Sequence, residues 1–211
     1  MEKNVEIFED LFVRYPCLET ERNRIWSAYK ILCECYENGG KILVCGNGGS
    51  ASDSEHIVGE LMKGFMSRRK LPGNEAALFN EIEGGDDLSS KLQGAIPAIS
   101  LVSQSALISA FSNDVEPDMV YAQQIWGYAK NSPDVLIAMS TSGNSANIVN
   151  AVKTAKALGR KSIGFTGEET SLISNICTVC IKIPEKATFM VQELIMPVYH
   201  ALCAMVEKTY F

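Results

Sequence analysis

The chain has 211 residues, with 19 Lys and Arg against 25 Asp and Glu, and a net charge of −6 with histidine neutral. An apolar share of 46% is that of one globular domain with a full core, and it excludes collagen-like and disordered chains. The acidic balance argues against nucleic-acid binding, because that affinity comes from neutralising phosphates; the one dense basic run, Arg68-Arg69-Lys70, reads as a solvated turn.

The elements follow in chain order. Residues 1–10 carry acids and no apolar stretch, unlike a secretory signal. Ile25, Tyr29, Ile31, Leu32 and Cys35 recur at helical spacing and predict a helix over 19–37, stopped by Gly39-Gly40. The branched run 41–45 predicts a buried strand. After it, Gly46-Asn47-Gly48-Gly49 makes a turn, and Ser50 is the expected N-cap of a helix through Phe65. Residues 67–95 hold Pro72-Gly73, Gly84-Gly85 and five acids, and read as a lid or variable insert. Further strands are predicted at 96–102, 134–139, 162–166 and 175–183. Helical segments are predicted at 105–111, 117–130, from the turn at 140–145 to Leu158, near 169–173, and at 188–207, the last kinked by Pro197. No run of 18 apolar residues predicts a membrane span.

Short apolar strands alternating with helices predict a three-layer α/β/α sandwich on a five-stranded parallel sheet. Ligands of such folds sit beyond the carboxyl ends of the strands, where both polar turns fall. Seven cysteines, an odd number in apolar surroundings, read as reduced cytosolic thiols. Cys177 and Cys180 form a CxxC without the second pair of a zinc site. They are expected to be plain strand residues, with a redox pair as the alternative.

The first turn is a poor dinucleotide fingerprint, because Ala51 stands at the third glycine position and no ribose-binding carboxylate is evident. The chain has no GxxxxGK[ST] match either. The second turn, Ser140-Thr141-Ser142-Gly143-Asn144-Ser145, places four hydroxyls at a helix start, where backbone N–H groups favour an anion such as a phosphate monoester. A simple capped turn is the alternative. Of the two histidines, His56 has Glu60 one turn on, and His200 follows Gln192 by two turns, about 12 Å of rise. The four side chains suit zinc, with glutamine a weak ligand. A surface pair and a lone helix histidine are the other reading.

These stretches, with Asn113-Asp114, Gly164-Phe165-Thr166-Gly167 and Gln192-Glu193, resemble the sugar isomerase (SIS) domain family in its phosphoheptose isomerase branch. The resemblance spans most of residues 25–208. It implies a single SIS domain over 1–211 with an N-terminal helical extension, acting as a cytoplasmic aldose–ketose isomerase on sedoheptulose 7-phosphate. It further implies a homotetramer with shared active sites, and neither nucleic-acid nor membrane partners. By the same resemblance, Ser140, Thr141, Ser142 and Ser145 hold the sugar phosphate; Asn47, Gly48 and Ser50 line the pocket; and Asp114 touches sugar hydroxyls. His56, Glu60, Gln192 and His200 bind zinc, and Glu60 and His200 form the acid–base pair. Phe189, Met190-Val191 and Ile195 depart from the family pattern and leave another sugar phosphate open. The alternative is a non-catalytic SIS module that binds a sugar phosphate or a partner protein.

Overall fold

The computed structural model describes residues 2–130 and 133–211. The chain runs α1 (Glu2–Arg14), α2 (Arg22–Glu37), β1 (Ile42–Gly46), α3 (Gly49–Met62), α4 (Gly73–Ala76), α5 (Gly85–Lys91), β2 (Ala98–Ser100) and α6 (Ser105–Asp114). It continues through α7 (Val120–Ala129), β3 (Val135–Met139), α8 (Ala146–Ala157), β4 (Lys161–Thr166), α9 (Leu172–Ile176), β5 (Val179–Lys182) and α10 (Thr188–Tyr210).

Every residue of β1 and β3 is buried, as strands covered on both faces require. The five strands are parallel, in the order β2-β1-β3-β4-β5. One face packs on α1, α2, α3 and α10 through Leu11, Ile25, Ile57 and Val198; the other packs on α7 and α8 through Ile125 and Val152. The predicted three-layer sandwich is therefore present. From β1 the chain winds outward to β2, then crosses back to β3 and winds the other way. The strand order reverses between β1 and β3, and the crevice of a doubly wound sheet lies at that switch. The turns after β1 and β3 are the two polar turns.

Several predicted boundaries move. The N-cap of α3 is Gly48, with φ +56°, and Ser50 is already inside the first turn. A side chain at Gly48 would be strained in that left-handed conformation. The helix ends at Met62, not Phe65, because the N–H groups of Phe65 and Met66 donate to the Glu207 carboxylate at 2.8 and 2.6 Å. The second strand shrinks to Ala98–Ser100. The 67–95 segment is built rather than loose. It holds α4, α5 and a short 3-10 turn, and an antiparallel bridge between Lys70 and Gln93 closes its base.

α10 runs as one helix across Pro197, whose ring removes the bond to the Glu193 carbonyl. By length and composition this helix could cross a membrane, contrary to the reading from the sequence; here Val198, Leu202, Met205 and Val206 bury it in the core. The basic run is likewise not a solvated turn, because Arg69 is only 1% exposed. All seven cysteines are thiols, and burial raises Cys177 to about 12, too high for a reactive thiolate.

Candidate active site at the sheet switch point

The turns after β1 and β3 are tied together. The amides of Asn47 and Asn147 exchange two hydrogen bonds of 2.9 Å, and the Tyr121 hydroxyl donates to the Gly46 carbonyl at 3.0 Å. In the second turn the Ser140 hydroxyl is the hub. It lies 3.2 Å from Ser145 Oγ and 3.5 Å from Ser142 Oγ, and it accepts the Gly143 N–H at 3.1 Å. Ser145 is the N-cap of α8 but makes no capping bond, so its hydroxyl turns into the cluster. Gly143 has φ +65°, and a Cβ there would meet the Ser171 hydroxyl, so glycine is required where α9 buttresses the turn. Thr141 accepts the Gly167 N–H through its carbonyl at 2.9 Å, which joins the turn to the end of β4. The result is a fixed arc of hydroxyls over the N-terminus of a twelve-residue helix, suited to a phosphate dianion.

α3 starts beside this arc and runs alongside α10. Gln192 lies over Gly49, His200 beside His56, and Glu207 at the chain just past Met62. His56 Nε2 is 3.3 Å from Glu60 Oε1 and 3.4 Å from His200 Nε2. Lys63 donates to the other Glu60 oxygen at 3.2 Å, and the Glu60 side chain is 14% exposed. Burial, and next the charge of His56, hold His200 below the usual histidine range. A cleft of about 640 Å³ opens beside His200, lined by Ile7, Asp10, Phe65 and Met66 among others.

The donor set fits a borderline divalent ion in its chemistry. Tetrahedral zinc, with bonds of about 2.0–2.1 Å to nitrogen, keeps neighbouring ligand atoms roughly 3.3–3.4 Å apart. As the side chains stand, no group of three His, Cys, Asp or Glu among the described residues is arranged to hold a metal ion, and Gln192 makes no hydrogen bond to the other three. Asp114 is also apart. It ends α6, exposed, accepting a 2.8 Å bond from Asn113, and makes no hydrogen bond to either turn.

A SIS-domain family model matches residues 14–167. The chain is 32% identical to the phosphoheptose isomerase of Aliarcobacter butzleri over 191 residues, covering 90% of this chain and 88% of that protein. It is 35% identical to that of Clostridium acetobutylicum over 188 residues, 89% of this chain and 83% of the other. The solved phosphoheptose isomerase of Neisseria gonorrhoeae superposes with a TM-score of 0.73 at 26% identity, covering 98% of both chains. The chain belongs to the phosphoheptose isomerase family.

Two groups of residues at this phosphoheptose isomerase-type site escaped the sequence reading. Arg69 donates to the Glu60 and Leu61 carbonyls at 2.8 and 2.5 Å and to the Glu207 carboxylate at 2.7 Å, so it caps α3 and fastens it to α10. The available signal was Glu207 itself, a carboxylate closing the apolar run 203–206. Tyr199 contacts His56 and is itself bound by Asp53; their positions beside His200 and one turn before His56 were the clue.

The contact between Gln192 and Gly49 gives a first test. A Cβ on Gly49 would lie 2.6 Å from the Gln192 amide nitrogen, the far end of a flexible side chain. Gly49→Ala is therefore expected to displace Gln192 with little effect on the fold. The KM for the sugar phosphate should rise about fivefold, the value of one lost hydrogen bond, with an unchanged melting temperature. Steady-state kinetics beside a thermal melt would check this. An unchanged KM would remove Gln192 from the substrate site.

Proposed function

We propose that the protein interconverts sedoheptulose 7-phosphate and glycero-manno-heptose 7-phosphate by moving a proton between C1 and C2 through an enediol. The observation that carries this reading is the meeting of Glu60 with His56 at 3.3 Å, and of His56 with His200 at 3.4 Å, on a helix that begins at the hydroxyl arc. His56 and Glu60 lie about 10 and 16 Å of helix rise beyond Gly49. That separation suits a long substrate with its phosphate at one end and its reacting carbons at the other.

In this reading Ser140, Thr141, Ser142 and Ser145, with the first N–H groups of α8, grip the phosphate. Asn47, Gly48 and Ser50 form the wall, and Asp114 and Gln192 contact the sugar. Binding energy from the phosphate end orients C1 and C2 against Glu60. Glu60 takes the proton from one carbon and returns it to the other, while His200 serves the oxygens, donating to the carbonyl and accepting from the hydroxyl. His56, Glu60 and His200, with Gln192 as a weaker fourth ligand, would hold a zinc ion, which when bound would polarise the substrate carbonyl. A pure binding module has no need of a carboxylate set among imidazoles, which disfavours the non-catalytic alternative.

We also infer a cytoplasmic homotetramer with shared active sites. The exposed Asp114 and the open cleft beside His200 support a site completed by a second copy. Sedimentation at micromolar concentration showing only monomer would overturn the assembly.

The test of the activity is conversion of sedoheptulose 7-phosphate by zinc-loaded protein, followed by NMR of the aldoheptose product. Turnover is expected. Its absence in folded, metal-bound protein would overturn the heptose substrate, and absence across other sugar phosphates would overturn the enzyme class.

A further inference from the structure

His56 has two ring nitrogens, and the structure gives each a different surrounding. Nδ1 lies 3.0 Å from the Tyr199 hydroxyl, and that hydroxyl donates its proton to Asp53 Oδ1 at 3.3 Å. Nε2 faces Glu60 and His200. Tyr199 is 1% exposed and Asp53 9% exposed, so neither has water as a ready substitute partner. A phenol has one proton to give. With that proton directed at the Asp53 carboxylate, the phenol oxygen can only accept from His56.

We propose that Asp53 and Tyr199 are positioning residues that hold a proton on Nδ1 of His56, so that Nε2 is the nitrogen whose lone pair is offered to the site. Which imidazole nitrogen carries the proton is set by the hydrogen bond made by the other. The ring of Tyr199 also stands edge-on to both imidazoles, at 5.5 Å from His56 and 4.8 Å from His200, which holds their planes. The chain is therefore Asp53, Tyr199, His56, with the carboxylate acting on the ring through a phenol. The neutral form it selects is the one a cation-binding imidazole needs, since ligating histidines generally donate their other N–H to a fixed acceptor.

The inference concerns the same site as the proposed isomerase but is read without substrate, so its failure and the failure of that activity are separable. With only two histidines in the chain, long-range ¹H–¹⁵N spectra of ¹⁵N-histidine-labelled protein contain two imidazoles, and His200→Gln assigns them. In metal-free wild type, at a pH where both rings are neutral, His56 is expected to be protonated on Nδ1 and bare on Nε2. Tyr199→Phe keeps the buried ring and removes the acceptor, so the population should move to the Nε2–H form. Zinc affinity, measured by chelator competition, should fall about 10–100-fold, the usual effect of losing such a partner. Asp53→Asn is the second variant, for use if Tyr199→Phe does not fold. An asparagine amide can donate to the phenol oxygen and free its proton for Nδ1, so the same move is expected. A wild-type His56 protonated on Nε2, or an unchanged tautomer in a folded variant, would overturn the proposal.

Discussion

Glu60→Gln is expected to slow isomerisation on the order of 10²–10⁴-fold, the usual contribution of a positioned general acid or base. Glutamine has the same shape and keeps an oxygen for the Lys63 ammonium, which lies 3.2 Å from Glu60 Oε2. What it loses is the capacity to take up a proton. The decisive readout is exchange of the substrate C1 or C2 hydrogen with deuterated solvent, followed by NMR. Exchange reports enediol formation even where net turnover is too slow to see. Loss of exchange together with retained sugar-phosphate binding would place the defect in proton transfer. Exchange at the wild-type rate would mean that the base is another residue. Zinc content measured on the same sample separates a lost base from a lost ligand.

Arg69→Met is expected to have the largest effect on stability. Arg69 and Glu207 are 1% and 2% exposed and lie 2.7 Å apart. Removing the guanidinium strands a buried carboxylate and frees the Glu60 and Leu61 carbonyls, a loss of about 3–5 kcal/mol for a broken buried pair. For a chain of this size that is roughly 6–20 °C in melting temperature. The double variant Arg69→Met/Glu207→Leu should recover much of the loss, since an apolar replacement of both partners is often neutral. A melt unchanged by Arg69→Met would show the pair to be idle. The pH dependence follows from the same contacts. Burial pushes the Glu207 carboxyl up, but the Phe65 N–H, Arg69 and the Met66 N–H outweigh it and hold the carboxyl below its ordinary value of 4.5. A depressed carboxyl stabilises fully above the unfolded value and loses that contribution as pH falls through the folded one. The wild-type contribution should therefore be full above about pH 4.5 and fade below it, so the stability gap between wild type and Arg69→Met should narrow as pH falls, which melts at neutral and acid pH would check.

Much of this was legible along the chain because the central strands β1 and β3 are short apolar runs, which a sheet covered on both faces requires. The hydroxyl arc was legible too, since four hydroxyls at one helix start point to one place. What periodicity could not supply was partnership across the fold. Arg69 was misread because three adjacent charges ordinarily face water, and its carboxylate lies 138 residues away. Ser50 was misread as the cap because serine is the usual choice there. The left-handed φ at Gly48 decided otherwise. Gln192 was grouped with the histidines by helical spacing, and the fold sets it over Gly49, two turns of helix from His200.

The excursion between α3 and β2 is pinned where it leaves and rejoins the domain. Lys70 bridges Gln93, the Gly94 N–H donates to the Arg69 carbonyl at 2.7 Å, and the Gly64 N–H donates to the Gln93 side chain at 2.7 Å. Its far end, around Leu78 and Ile82, is exposed. With its ends held, doubling the length of such a loop adds only about 0.6 kcal/mol of closure entropy. The molecule thus carries a natural insertion port, where a tag, a reporter domain or an evolutionary addition can be accommodated while Glu60 and the two histidines keep their geometry.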